Sequence, residues 1–279
     1  MPRTIWTYWE QGRESAPPVV QRCFKSWEHW NPGWTLQVLD RHTLSRHTDL
    51  GQRIDFSRKD ITVQKRSNLI RVSLLRAHGG VWADSTVVCS QPLDTWLVEY
   101  VNTGFFAFRN PGRDRLWSSW LIAAEPDNAL MAALEADFVE LFAGTHYTLQ
   151  DTRRGDVFRR VLKPFLTRNV RCSRHWVSPT TRNLLKVYPY FQFHYCFNAV
   201  VLNGGEAGRI WTEGRPFPAR VPHTLQRLGR VPGGEAEACE FILSQRSPVH
   251  KLNWKLDPEA PYWRAVFDCL QQLRERGRQ

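Results

Sequence analysis

Asp84 is the residue best placed to do chemistry in this chain. It follows a short apolar run, Val81-Trp82-Ala83, which itself follows Gly79-Gly80 and a helix-like run carrying Arg71. A carboxylate at the C-terminal end of a strand stands where open α/β sheets bind ligands. Thr86 comes two residues later, and in extended backbone residues i and i+2 point the same way. Two hard oxygens on one side suit a divalent cation that carries phosphates. Far along the chain, residues 247–255 read S-P-V-H-K-L-N-W-K. The His250 imidazole can complete a metal shell opposite a carboxylate. Lys251 and Lys255 offer point charges to phosphate. Such a set can hold a diphosphate and stabilise the negative charge it gains on leaving.

The elements that must position these groups follow from the pattern of the chain. Residues 4–9 read as a buried first strand. Pro17-Pro18 opens a helix running to about Trp30, and 34–39 is a second strand that ends at Asp40. The helix bearing Arg71 spans 63–78. Strands follow near 81–83, 87–89, 103–108 and 119–124, with a turn at Asn110-Pro111-Gly112. Helices are expected over 128–142 and 153–166, and strand and loop over 186–198. Residues 204–237, rich in Gly, Pro and Arg, read as a surface insertion or mobile lid. The tail from 258 to 273 is an amphipathic helix with Trp263, Val266, Phe267, Leu270 and Leu273 on one stripe. Alternating strands and helices predict an α/β fold, a mostly parallel sheet covered on both faces. Residues 1–257 are expected to form one domain of two parts, about 1–100 and about 101–257. Residues 258–279 add the C-terminal helix.

The order Ser67-Asn68-x-x-Arg71, Leu74-Leu75, Gly79-Gly80-Val81-Trp82, Asp84-x-Thr86 resembles the glycosyltransferases that use a DxD motif. More narrowly it resembles the bacterial capsular-polysaccharide-synthesis branch, related to yeast initiating mannosyltransferases and clostridial glucosylating toxins. Residues 5–12, 26–40, 105–112, 120–128 and 247–255 continue the likeness in family order, so it covers most of 4–256. The resemblance implies a GT-A-type, Rossmann-like fold, with a nucleotide-binding half over about 1–100 and a sugar and acceptor half over about 101–257, and transfer of a sugar from a nucleotide diphosphate donor, a UDP-sugar, helped by Mn²⁺ or Mg²⁺. It implies a glycan or lipid-linked glycan acceptor in surface polysaccharide synthesis, and retention of configuration.

On that likeness Asp84, Thr86 and His250 are the metal ligands, and Asp84, Arg71 and Glu125 the catalytic residues. Tyr8 and Trp9 would flank the nucleobase, because an aromatic platform suits a flat ring. Asp40, Asn68, Arg71, Lys251, Trp254 and Lys255 would complete the donor site. Glu125 and Asn128 sit in a loop that faces donor sugar or acceptor in the wider family. His194, within Y-F-Q-F-H-Y, is a further acceptor-side candidate. Two positions depart from the commoner pattern: Thr86 replaces a second Asp, and Asn68 replaces an Asp. Both remove negative charge, which weakens cation binding and the pairing of residue 68 with Arg71.

Composition narrows the function classes. The chain has 279 residues and a net charge of +11, which favours anionic partners: nucleotide phosphates, lipid pyrophosphates, an anionic membrane surface or nucleic acid. Its basic residues are dispersed and do not combine with aromatics in a nucleic-acid motif. The six cysteines form no CxxC pair and read as reduced thiols of a cytoplasmic protein, peripheral at most to the inner face of the plasma membrane. The first residues lack the apolar core of a signal peptide. Two rival readings remain: a toxin-like enzyme that glycosylates a protein, and a non-catalytic binder of anions or nucleic acid on a decayed transferase scaffold.

Overall fold

The computed structural model describes residues 1–58, 60–143, 153–184 and 189–276. Five strands form the central sheet: β1 (Thr4–Tyr8), β2 (Thr35–Leu39), β3 (Gly80–Ala83), β5 (Phe105–Gly112) and β6 (Arg115–Ala124). Their order is β2-β1-β3-β6-β5. β1 runs parallel to β2 and β3, whereas β6 runs antiparallel to both β3 and β5. Four strands therefore share a direction and β6 alone opposes them. A separate two-stranded ribbon pairs β4 (Val87–Cys89) with β7 (Val249–Lys251), antiparallel.

β1 is apolar on both faces because both faces are covered. Trp6 and Tyr8 enter the core under the Val63–His78, Ala129–Ala143 and Gln192–Leu202 helices; Ile5 enters the opposite core with Trp27, Trp96 and Phe108. Buried parallel strands read as continuous apolar runs for this reason. Eight of the thirteen Trp residues are buried, so most of the aromatic excess is packing rather than ligand platform.

The helix before β3 starts at Thr62, whose hydroxyl accepts the Lys65 amide, and ends at Gly79. Gly79 and Gly80 have φ of 63° and 93°. A Cβ on Gly80 would lie 2.5 Å from the Thr4 carbonyl oxygen. Only glycine lets the chain turn here and enter β3 against β1. The next residues, including Asp84, are delivered to the sheet edge by this join.

Several expectations are corrected. The chain turns at Arg113-Asp114, between the paired residues Gly112 and Arg115, and Asn110–Gly112 belongs to β5. The sheet tolerates it there through register shifts between Ala107 and Gly112. Residues 192–202 are helix, not strand and loop, and bury Phe193, Cys196, Phe197 and Val200 along one side. The 204–237 stretch is no detached lid. Helices Gly205–Glu213 and Thr224–Leu228 sink Ile210, Trp211, Leu225 and Leu228 into the core. These apolar residues are spaced widely among Gly and Pro, which hides their periodicity.

The C-terminal helix, Pro261–Arg276, buries Val266, Phe267, Leu270 and Leu273 against the Pro18–Trp30 and Glu235–Leu243 helices. Its apolar stripe is used inside the protein rather than offered to a membrane. Cys239 and Cys269 form a disulfide, against the expectation of reduced thiols. They are 30 residues apart in sequence, but the two helices pack side by side and bring their Cα atoms to 5.6 Å. Among the described residues no helix is long and apolar enough to cross a membrane.

Candidate functional site

The C-terminal edges of β2, β1 and β3 lie side by side and carry Asp40, Trp9 and Asp84 in turn. Asp84 is held by its own backbone. Its amide donates to the Trp120 carbonyl at 2.8 Å, and its carbonyl accepts the Val87 amide at 2.9 Å. That turn swings the chain into β4. β4 then pairs with β7 so that Val87 stands opposite Lys251, and the Leu252 amide reaches the Thr86 carbonyl at 2.8 Å. Residues 84 and 251 are thus brought together by strand pairing.

Both carboxylate oxygens of Asp84 are engaged. Oδ1 lies 3.0 Å from the Arg71 guanidinium and accepts the Trp82 indole N–H at 3.0 Å. Oδ2 accepts the Lys251 ammonium at 3.1 Å. The same ammonium donates to Thr86 Oγ1 at 2.5 Å. Burial alone would raise the Asp84 carboxyl; Arg71 and Lys251, with the Trp82 and Lys251 hydrogen bonds, outweigh it and hold it below the usual carboxylate range. One carboxylate against two cations leaves the cluster with a net charge of about +1.

Arg71 is buried beside Asp84 and held on several sides. Only 6% of its side chain is exposed. Its Nε donates to the Ser67 carbonyl, its terminal nitrogens reach Ser67 Oγ and the Ser119 carbonyl, and its plane lies over Trp82. Ser67 therefore supplies the partner that the likeness gave to residue 68. Asn68 is partly exposed, one turn before Arg71.

His250 and Lys251 are neighbours on β7 and face opposite ways, since side chains alternate along a strand. Lys251 points to Asp84. His250 is fully buried, with Nε2 at 3.2 Å from Ser90 Oγ and its ring against Phe241. Burial holds it down at about 3, so the ring is neutral. It is not placed as a ligand beside Asp84. Trp254 is half exposed and meets Trp9 edge-on at 6.4 Å; the Lys255 ammonium sits 5.3 Å from the Trp254 ring centre. Tyr8 is core, with its hydroxyl on Glu10 at 2.8 Å, which removes it as a base platform. Asp40 closes its own turn, accepting the His42 and Thr43 amides, each at 2.8 Å.

Glu125 and Asn128 lie at the wrong edge. Because β6 is antiparallel to β3, Ala124 pairs with Gly80, the start of β3, and Leu121 with Ala83, its end. Glu125 thus emerges about 15 Å from Asp84 by strand length. There Asn128 caps the Ala129–Ala143 helix, accepting the Leu130 and Met131 amides, and Glu125 is exposed.

Asp114 and Arg115, at the turn of this hairpin, lie on the Asp84 side of the sheet but beyond Trp120, the β6 residue that adjoins Asp84. Asp114 accepts the Tyr195 hydroxyl at 2.6 Å and Arg115 covers the Phe191 ring at 3.8 Å. His194 lies in the field of Arg115, Arg71, Asp114 and Asp84. Burial, then Arg115 and Arg71, hold it at about 3, and its ring meets Trp117, Phe191 and Phe193. Glu10, paired with Arg66, was also missed. The signal for Asp114 was the hairpin itself: a two-residue turn after β5 places Arg113-Asp114 at the same edge as Asp84.

The residues present do not make a ready divalent-cation shell. Among the described residues no group of three or more His, Cys, Asp and Glu gathers at one place. The two oxygen donors at this edge, Asp84 and Thr86, both hold the Lys251 ammonium.

Fold and edge together define an α/β protein with a cationic, aromatic-flanked site at the carboxyl ends of its strands. The chain belongs to the capsular polysaccharide synthesis protein family, whose profile matches residues 1–151, more than half its length. It is similar to the O-glycosyltransferase braB of Annulohypoxylon truncatum, 26% identical over 162 residues, 51% of this chain and 38% of that protein. It is also similar to the glycosyltransferase afumC of Aspergillus fumigatus, 32% identical over 103 residues, 33% of this chain and 26% of that protein. The chain spans well under half the length of these two relatives. Among solved structures, the PaToxG glycosyltransferase aligns with a TM-score of 0.40 and 10% identity, over 76% of this chain and 87% of that one.

Proposed function

We propose that this protein is a glycosyltransferase that moves a sugar from a nucleotide diphosphate donor, a UDP-sugar, to a glycan or lipid-linked glycan in surface polysaccharide synthesis. The observation that carries the reading is the Asp84–Arg71–Lys251 cluster at the strand edge, in a chain of the capsular polysaccharide synthesis family. Glycosyl transfer needs fixed positive charge where the leaving diphosphate becomes more negative. Lys251 supplies it, Asp84 aims the ammonium, and Arg71 holds Asp84. The exposed Trp254, edge-on to Trp9, offers a surface for the base. Thr86 fixes a second lone pair toward Lys251.

Retention of configuration fits the carboxylates at this edge. Among the described residues Glu10, Asp40, Asp84 and Asp114 are each ion-paired or hydrogen-bonded to Arg66, to their own turn, to Arg71 and Lys251, and to Tyr195. None stands ready as the general base that an inverting attack uses. The departing phosphate then takes the acceptor proton.

The test is donor hydrolysis and transfer with a panel of UDP-, GDP-, ADP- and CDP-sugars, on the wild type and Asp84→Asn. Sugar release from one nucleotide class, lost in the variant, is expected. No turnover of any donor, together with no binding of any nucleoside diphosphate, would falsify the reading.

A further inference from the structure

We propose that Lys251 is the site's built-in cation: it takes the position between Asp84 and Thr86 that a divalent metal would need, so that a nucleoside diphosphate binds without metal. The inference rests on the donor-binding reading above and deepens it. Three features of the geometry carry it.

First, the oxygens are taken. Lys251 Nζ spans Asp84 Oδ2 at 3.1 Å and Thr86 Oγ1 at 2.5 Å. Asp84 Oδ1 is held from the other side by Arg71 and Trp82. A metal could reach this carboxylate only by expelling the ammonium. The β4–β7 pairing anchors Lys251 by its backbone directly opposite Val87, so its displaced charge would stay close and repel the ion.

Second, the ligand count is short. Mg²⁺ and ions like it take about six ligands in a near-octahedral shell. The His250 ring is buried on the far face of β7 and Thr86 is neutral, which leaves one carboxylate. One carboxylate beside two cations repels a divalent ion and attracts a dianion.

Third, the ammonium is still able to bind. It has three N–H donors, of which Asp84 and Thr86 take two. Its side chain remains 17% exposed, enough for the third to meet a phosphate oxygen. The replacement of the second acidic residue by Thr86 is then no loss. A hydroxyl accepts one hydrogen bond from Lys251 without cancelling its charge, whereas an aspartate there would neutralise the cluster.

Calorimetric titration of the purified protein with UDP, and with GDP, ADP and CDP, in EDTA and in millimolar Mn²⁺, tests this. Affinity in EDTA within about threefold of that in Mn²⁺ is expected. Lys251→Ala should weaken binding in EDTA by about tenfold or more and make the residual binding respond to Mn²⁺, because Asp84 Oδ2 and Thr86 Oγ1 lose the ammonium while Arg71 and Trp82 hold only Oδ1. Lys251→Arg, which keeps the charge, should retain most of the affinity and guards against a folding defect in the alanine variant. Binding seen only with Mn²⁺ overturns the inference and leaves the donor-site reading standing. Absence of binding for all four nucleotides in both conditions overturns both.

Discussion

The two edges of the central sheet carry similar residues and use them differently. At the edge after β3, Arg71 and Lys251 close on Asp84, Arg115 pairs with Asp114, and His194 lies in the field of both carboxylates, so charge comes from separate elements. At the edge before β3, Glu125 is exposed and Asn128 is used up as a helix cap. Both edges offer carboxylates and amides. What separates them is that one receives the carboxyl ends of parallel strands and the other a reversed strand. A site needs side chains from distant segments that are not already closing local turns.

The largest contrast should come from Asp84→Asn against Glu125→Gln. Loss of about 100-fold or more in transfer rate is expected for the first and less than about twofold for the second, measured as kcat/KM with the active donor. A comparable loss in Glu125→Gln would erase the distinction between the edges. Asp84→Ala carries a further cost. It leaves Arg71 buried without its carboxylate, and unfolding in urea should show about 3 kcal/mol or more of destabilisation.

A second, smaller contrast lies between neighbours on β7. Burial depresses His250 from 6.5 to about 3. Its folded value lies below its unfolded one, so the associated stability is complete above pH about 6.5 and is lost as pH falls toward about 3. His194, also held at about 3, behaves alike. His250→Asn should reduce the decline in stability over that window, to which His47 and His223, also lowered by burial, contribute as well, with donor affinity changed little. Equal loss of donor affinity in His250→Asn and Lys251→Ala would show that both neighbours serve the site.

The smallest effect belongs to Asn128→Ala. It removes a cap worth about 1 kcal/mol, visible as a lowered urea midpoint at unchanged kcat/KM. A matching fall in activity would connect the far edge to the reaction.

Much of the Asp84 edge was readable from the chain because its rules are local. A capped amphipathic helix, two glycines with no room for a Cβ and an apolar tripeptide deliver the carboxylate within about twenty residues. Lys251 was legible as a type of residue, but the three-residue strand β7 is too short for its alternation to show which neighbour faces out. Glu125 was misplaced because hydrophobic content does not reveal the direction in which a strand is laid. β6 reads alike whether it runs with β3 or against it, yet reversal moves its end to the other side of the sheet. Pairing direction, the Lys251–Asp84 contact and the Cys239–Cys269 bond all join segments remote in sequence. Such contacts are set by how whole layers pack, which side-chain periodicity within one segment does not encode.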